Sequence, residues 1–253
     1  MLSIARKSPD TLTLNDLASY HTDFSWRSVF RELKLELDRI EAMLHKVQCQ
    51  YSQCQVPLTS WFFVPQRKDV FRVFKETVMS EIKVIIIGMD PYPGYYDDKV
   101  PQACGIAFSA EREIPRSLAN IFAEVKRCIP DFVLPSTGDL RPWCKQGVLL
   151  INASLTHLPN STGTQKDVWL PLVYRLLGEV TTLQKNLAVC LWGRDAQGYL
   201  KYINGNHLVL TASHPSPLSA SKGEEPFNGC GFPLKINEYL VKNGGTAVDW
   251  SLV

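Results

Sequence analysis

The chain has 253 residues, 45% of them hydrophobic and 21% charged, which excludes a mostly disordered protein. Its formal net charge is only +2, so a polyanionic partner has to be met by a local patch and not by the field of the whole molecule. The seven cysteines form no C-x-x-C pair and the five histidines show no metal-ligand spacing, which argues against a disulfide frame or a zinc knuckle and for a reducing compartment.

Residues 1–22 are polar and mixed and read as a loosely held arm. They carry no positive-then-apolar signal. The longest apolar run, near Val84–Ile87, falls far short of the ~20 residues of a membrane span. The expectation is a soluble intracellular protein with no membrane contact. From Arg27 to Val47, Leu33, Leu37, Ile40, Leu44 and Val47 recur at helical steps and give one apolar stripe. Val70, Phe71, Val73 and Phe74 predict a short helix after Pro65.

Four short apolar runs come next along the chain: Ile82–Ile87, Val148–Ile151, Leu187–Trp192 and His207–Thr211. Between them lie amphipathic segments built on Leu118/Ile121/Phe122/Val125 and on Leu172/Val173/Leu176/Leu177/Val180, then a short one after Arg194. Continuous apolar strands alternating with helices predict a single α/β domain: three layers, α/β/α, around a central four-stranded parallel sheet. Such sheets bind ligands at the carboxyl ends of their strands. The candidate binding residues are therefore those directly after each run: Gly88-Met89-Asp90-Pro91-Tyr92-Pro93, Asn152-Ala153-Ser154, Gly193-Arg194 and Ser213-His214-Pro215-Ser216-Pro217-Leu218-Ser219. There is no G-x-G-x-x-G, no phosphate loop ending in Lys-Ser/Thr and no nucleophile elbow, which disfavours dinucleotide binding, NTP hydrolysis and serine or cysteine esterase chemistry. A carboxylate facing a histidine, with no nucleophile or metal beside it, suits hydrolysis through a charged transition state.

The segments GMDPYPG (88–94), CGIAFS (104–109), PRSL (115–118), GDLRPWCKQGVLLINASLT (138–156), LAVCLWG (187–193), HPSPLS (214–219) and VDW (248–250) together resemble the family-1 uracil-DNA glycosylases, in the family's order, from about Pro57 to Trp250. The resemblance makes residues 23–253 the glycosylase-like domain, acting on uracil in single- and double-stranded DNA as a monomer without metal or cofactor. It implies that a flipped uracil enters a pocket. Asp90 corresponds to the carboxylate that positions water and stabilises the oxocarbenium-like sugar, and His214 to the donor towards uracil O2. Asn152 corresponds to the amide that reads the Watson–Crick edge, Tyr92 to the ring that excludes a C5 methyl, and Phe108 to the stacking ring. Met89 lines the pocket. Pro115, Ser117, Ser216, Pro217, Ser219 and Lys222 fall where the family touches the DNA backbone, and Leu218 where it wedges into the duplex.

Two positions depart from the pattern. The family usually has Gln where Met89 stands and His where Pro93 stands, which removes a polar wall and a ring near the water site and keeps a second reading open: a weakly or non-catalytic DNA-binding subunit of a viral replication complex. A third reading is a hydrolase of free nucleosides. The stretches 95–103 and 223–228 are longer than usual. The second resembles gammaherpesvirus enzymes and implies a herpesviral source, a host-nuclear location and contacts with viral polymerase factors. Glu224 and Glu225 in it repel phosphate, so the segment either folds away or enters the groove.

Overall fold

All four apolar runs become strands, displaced by a residue or two from the sequence limits: β1 (Val84–Gly88), β2 (Val148–Asn152), β3 (Ala188–Trp192) and β4 (Leu208–Ala212). The computed structural model describes residues 11–52, 60–161 and 163–252. The strands form one four-stranded sheet in the order β2-β1-β3-β4, each neighbouring pair parallel. Every residue of β1, β2 and β3 is buried, as their unbroken apolar sequence requires of strands covered on both faces. The edge strand β4 is mostly half-buried and is the least uniformly apolar of the four. Gly88 pairs with Asn152 and Trp192 with Ala212, so the carboxyl ends of β1 and β2, and of β3 and β4, lie level with each other.

The helices, in chain order, are α1 (Leu14–Tyr20), α2 (Arg27–Glu32), α3 (Lys34–Ser52), α4 (Arg72–Glu76), α5 (Arg116–Cys128), α6 (Arg141–Cys144), α7 (Lys166–Leu183), α8 (Arg194–Gln197) and α9 (Phe232–Lys242). The connection from β1 to β2 runs one way along the sheet and that from β2 to β3 runs back across β1. Right-handed crossovers therefore place α5 and α7 on opposite faces. α9 packs beside α5, and α3 beside α7, which completes the three layers. α5 shows how sequence sets the packing: Leu118, Ile121, Phe122 and Val125 are buried on one stripe, and Lys126 and Arg127 in its last turn complement the helix dipole. Among the described residues no helix is long and apolar enough to cross a membrane.

Two expectations differ in detail. The stripe from Arg27 to Val47 is carried by two helices that meet at Leu33. Of the polar arm, residues 1–10 lie outside the described residues, and from Thr11 the chain packs down instead of hanging loose. Thr13 and Asp16 form a capping box at the start of α1. Leu12, Leu14, Leu17 and Ala18 are buried, while the polar residues between them face outwards. Glu41 of α3 accepts from the Leu14 amide at 2.6 Å and pairs with Arg67, whose Nε donates to the Leu12 carbonyl at 2.5 Å. The arm looks polar by composition because a short amphipathic helix needs only these few apolar positions.

Candidate active site

The turn after β1 carries Met89, Asp90 and Tyr92 into one wall of a cavity of about 220 Å³ at the carboxyl end of the sheet. Asn152, the last residue of β2, forms its floor, and Phe108 and His214 face it from the 104–109 loop and from the turn after β4. Ser117, in the first turn of α5, stands at its edge. The residues expected to bind the base and do the chemistry are therefore brought together.

Asn152 is buried at 8% exposure, yet no described residue takes up its carboxamide, so both its donor and its acceptor are left for something in the cavity. It lies close against β1: a Cβ on Gly88 would stand 2.3 Å from Asn152 Oδ1, so only glycine permits this approach. Tyr92 donates its hydroxyl to the Phe108 carbonyl at 2.9 Å, and burial pushes the phenol up, so the ring stays neutral. Phe108 holds φ at 62°, a left-handed backbone uncommon for a bulky side chain, with its ring 5.7 Å from Trp192 and 5.8 Å from the His214 imidazole. The Tyr92 hydrogen bond and these ring contacts hold it there.

His214 accepts a hydrogen bond at Nδ1 from the Ser216 amide, 3.1 Å away. That bond fixes the tautomer with the proton on Nε2. Burial lowers the imidazole below its usual range, against a weaker opposing pull from Asp195, so the ring is neutral near pH 7. The outcome is a neutral N–H donor. Asp90 has the opposite history. Burial raises its carboxyl above 3.8, and the Thr164 hydroxyl, donating at 2.5 Å, pulls it back down, with His157 acting in the same sense.

The turn that bears the remaining candidates is closed on itself. The Ser216 and Ser219 hydroxyls are 2.8 Å apart, and Ser219 Oγ donates to the His214 carbonyl at 3.0 Å. Leu218, 80% exposed, sits at the apex with Pro217 beside it and exposed Lys222 just beyond. None of these residues lines the cavity. Pro115 caps α5 two residues ahead of Ser117. The 223–228 segment folds away from the apex: Glu225 accepts from the Thr211 hydroxyl at 2.5 Å, its carbonyl from the Ser213 amide at 2.7 Å, and Phe227 is fully buried against Trp192. In the 95–103 stretch Tyr96 is buried beneath Arg112, which also pairs with Asp98, so that stretch is locked by its own contacts.

Two residues of the site are not marked in the sequence motifs. His157 lines the cavity and Thr164 holds Asp90. The only signal for His157 is its place five residues after Asn152. Nothing local marks Thr164. An adjoining cleft of about 600 Å³ is lined by charged residues, but its Arg72 is already matched by Asp69, Glu76 and Glu111.

Residues 74–241 match the family model described as the Uracil DNA glycosylase superfamily. A protein named uracil-DNA glycosylase from Francisella tularensis subsp. novicida (strain U112) is 37% identical over 193 residues, covering 75% of this chain and 84% of that one. A namesake from F. tularensis subsp. tularensis (strain WY96-3418) is 33% identical over 233 residues, 90% of this chain and 99% of the other. Among solved structures, a mimivirus UNG variant in complex with UGI superposes with a TM-score of 0.84 at 26% identity, over 96% of this chain and 93% of that one. The chain belongs to the uracil-DNA glycosylase superfamily.

Proposed function

We propose that this protein hydrolyses the N-glycosidic bond of uracil in DNA, releasing the free base and leaving an abasic site. The observation that carries the reading is the convergence of Asp90, Tyr92, Phe108, Asn152 and His214 on one cavity, in a chain of this superfamily.

At about 220 Å³ the cavity is of the size of one base and not of a stacked pair, so the base has to swing out of the helix to be reached. Phe108 stacks on it. Asn152 donates to uracil O4 and accepts from N3–H; cytosine reverses both groups and leaves buried polar atoms unpaired, a discrimination on the order of 10⁴ or more. Tyr92 closes the space at C5 where thymine carries a methyl. As the glycosidic bond lengthens, negative charge gathers on the departing base and positive charge on the sugar. His214 Nε2–H donates to O2 as that charge develops, an effect typically of ~3–4 kcal/mol. The Asp90 carboxylate stabilises the cationic sugar and orients the water that attacks it. Met89 contributes an apolar wall, and Pro93 no imidazole.

At the rim, Pro115, Ser117, Ser216, Pro217, Ser219 and Lys222 hold the phosphates, and Leu218 fills the place left by the flipped nucleotide. The resemblance to the family is what supports action on single- and double-stranded DNA by a monomer. The length of the 223–228 segment is what supports a viral source of gammaherpesvirus type, with a host-nuclear place of action and polymerase factors as partners.

An oligonucleotide containing one uracil tests the reading. Release of free uracil, abolished in Asp90→Asn, is the expected result. Tight DNA binding with no release would make the protein a non-catalytic subunit. Cleavage of free deoxyuridine but not of the oligonucleotide would make it a nucleoside hydrolase.

A further inference from the structure

Thr164 lies 74 residues from Asp90 along the chain and yet supplies the single hydrogen bond that any described residue makes to the Asp90 carboxylate, Oγ1 to Oδ1 at 2.5 Å. The geometry fixes which way that hydroxyl points. A threonine hydroxyl has one proton and two lone pairs. The Lys166 amide, at the first residue of α7, donates to Thr164 Oγ1 at 3.0 Å and occupies a lone pair. The proton is left for Asp90.

The backbone is held as firmly. Thr164 forms an antiparallel bridge with His157, and His157 exchanges two backbone hydrogen bonds with Val64, at 2.8 and 2.9 Å. The His157 ring is anchored through Nδ1 to the Leu158 carbonyl at 2.6 Å and forms part of the cavity wall. The nearby Lys166 ammonium is taken by Asp195 at 2.7 Å, so the direct grip on Asp90 comes from a neutral hydroxyl and not from a cation. A neutral partner leaves the carboxylate its full negative charge.

We propose that Thr164 is a positioning residue for the reaction: its hydroxyl fixes one oxygen of Asp90 at the entrance of α7, so that the other is presented to the cavity in one orientation. This rests on the glycosylase reading above. It adds a residue from outside the strand-end motifs, delivered by the bridge between the 157 and 164 positions.

Steady-state kinetics on the single-uracil oligonucleotide test it, with wild type, Thr164→Val and Thr164→Ser. Valine keeps the shape and removes the donor. The expected result for Thr164→Val is a kcat lower by ~10- to 100-fold with KM little changed, the range of a hydrogen bond to a charged group. The acid limb of its kcat profile should move to higher pH, because burial then acts on Asp90 without the opposing hydroxyl, while His157, Lys166 and Asp195 around it are unaltered. Thr164→Ser should recover most of the rate. A Thr164→Val protein of normal melting temperature that turns over at the wild-type rate, with its acid limb unmoved, overturns the proposal. So does a Thr164→Ser protein as slow as Thr164→Val. A wild-type protein that releases no uracil overturns the glycosylase reading itself, and this one with it.

Discussion

Gly88→Ala puts a single methyl group at the junction of sheet and site. Its Cβ would stand 2.3 Å from Asn152 Oδ1, with Ala107 Cβ at 3.1 Å and Phe108 Cε2 at 3.4 Å closing the other sides. Ordinary contact requires the carboxamide to retreat by about 1 Å. Elsewhere a Gly→Ala change in compatible backbone stabilises by ~0.4–1 kcal/mol through the unfolded chain. Here overpacking of ~1–3 kcal/mol opposes that gain and wins. The larger effect falls on function, since a 1 Å misplacement of a substrate-positioning group costs ~10²-fold. The assay is kcat/KM on the single-uracil oligonucleotide, together with thermal unfolding and the same substitution in Asn152→Ala. We expect a loss of about 100-fold in the wild-type background and almost none where the carboxamide is already gone. A Gly88→Ala protein with wild-type kcat/KM, or one that loses as much in the Asn152→Ala background, would refute the reasoning.

Tyr92→Ala opens the C5 side of the cavity and frees the Phe108 carbonyl; thymine release from a suitable oligonucleotide should become measurable, and continued complete exclusion of thymine would remove the steric role. The rate should be level above pH about 6.5 and fall towards acid, because both Asp90, raised from 3.8, and His214, lowered from 6.5, must be free of the extra proton to act. A rate that rises as the pH drops below 6.5 would mean that a protonated His214 is the working donor. Glu124→Ala removes a buried carboxylate that accepts from the Gly229 and Gly231 amides at 2.8 and 2.6 Å and from Arg127. Stability should fall by ~2–4 kcal/mol in urea unfolding, and an unchanged midpoint would show those amides to be solvated instead.

The fold is legible in the sequence because the sheet is parallel and buried. Ile85-Ile86-Ile87 and Val189-Cys190-Leu191 admit no polar residue on either face, so the strands stand out without any alternation to decode. The cavity is legible for a related reason: its chemistry is concentrated in the few residues after each strand, where Asp90, Asn152 and His214 are placed by the sheet itself. Thr164 is not, since its partnership with Asp90 depends on the return path of the chain through His157, a long-range pairing with no periodic trace. Composition hides α1, a few apolar residues set in a polar stretch. The fate of Glu225 is likewise undecidable from charge alone; it turns on whether Thr211 and Ser213 at the sheet edge receive it.

The left-handed backbone of Phe108 has a cost that the folded chain carries whether or not a base is bound, about 1–3 kcal/mol for a residue in so sparsely populated a region. In return the ring is already turned inward, and on the glycosylase reading little side-chain freedom is lost when a base stacks on it, a saving of ~0.5–1.5 kcal/mol. Glycine at this position would relax the main chain but remove a buried ring packed against Trp192 and His214, a loss of ~3–5 kcal/mol that exceeds the strain relieved. Melting and the shape of the cavity therefore pull position 108 in the same direction, and variants selected for hardiness alone should retain the ring.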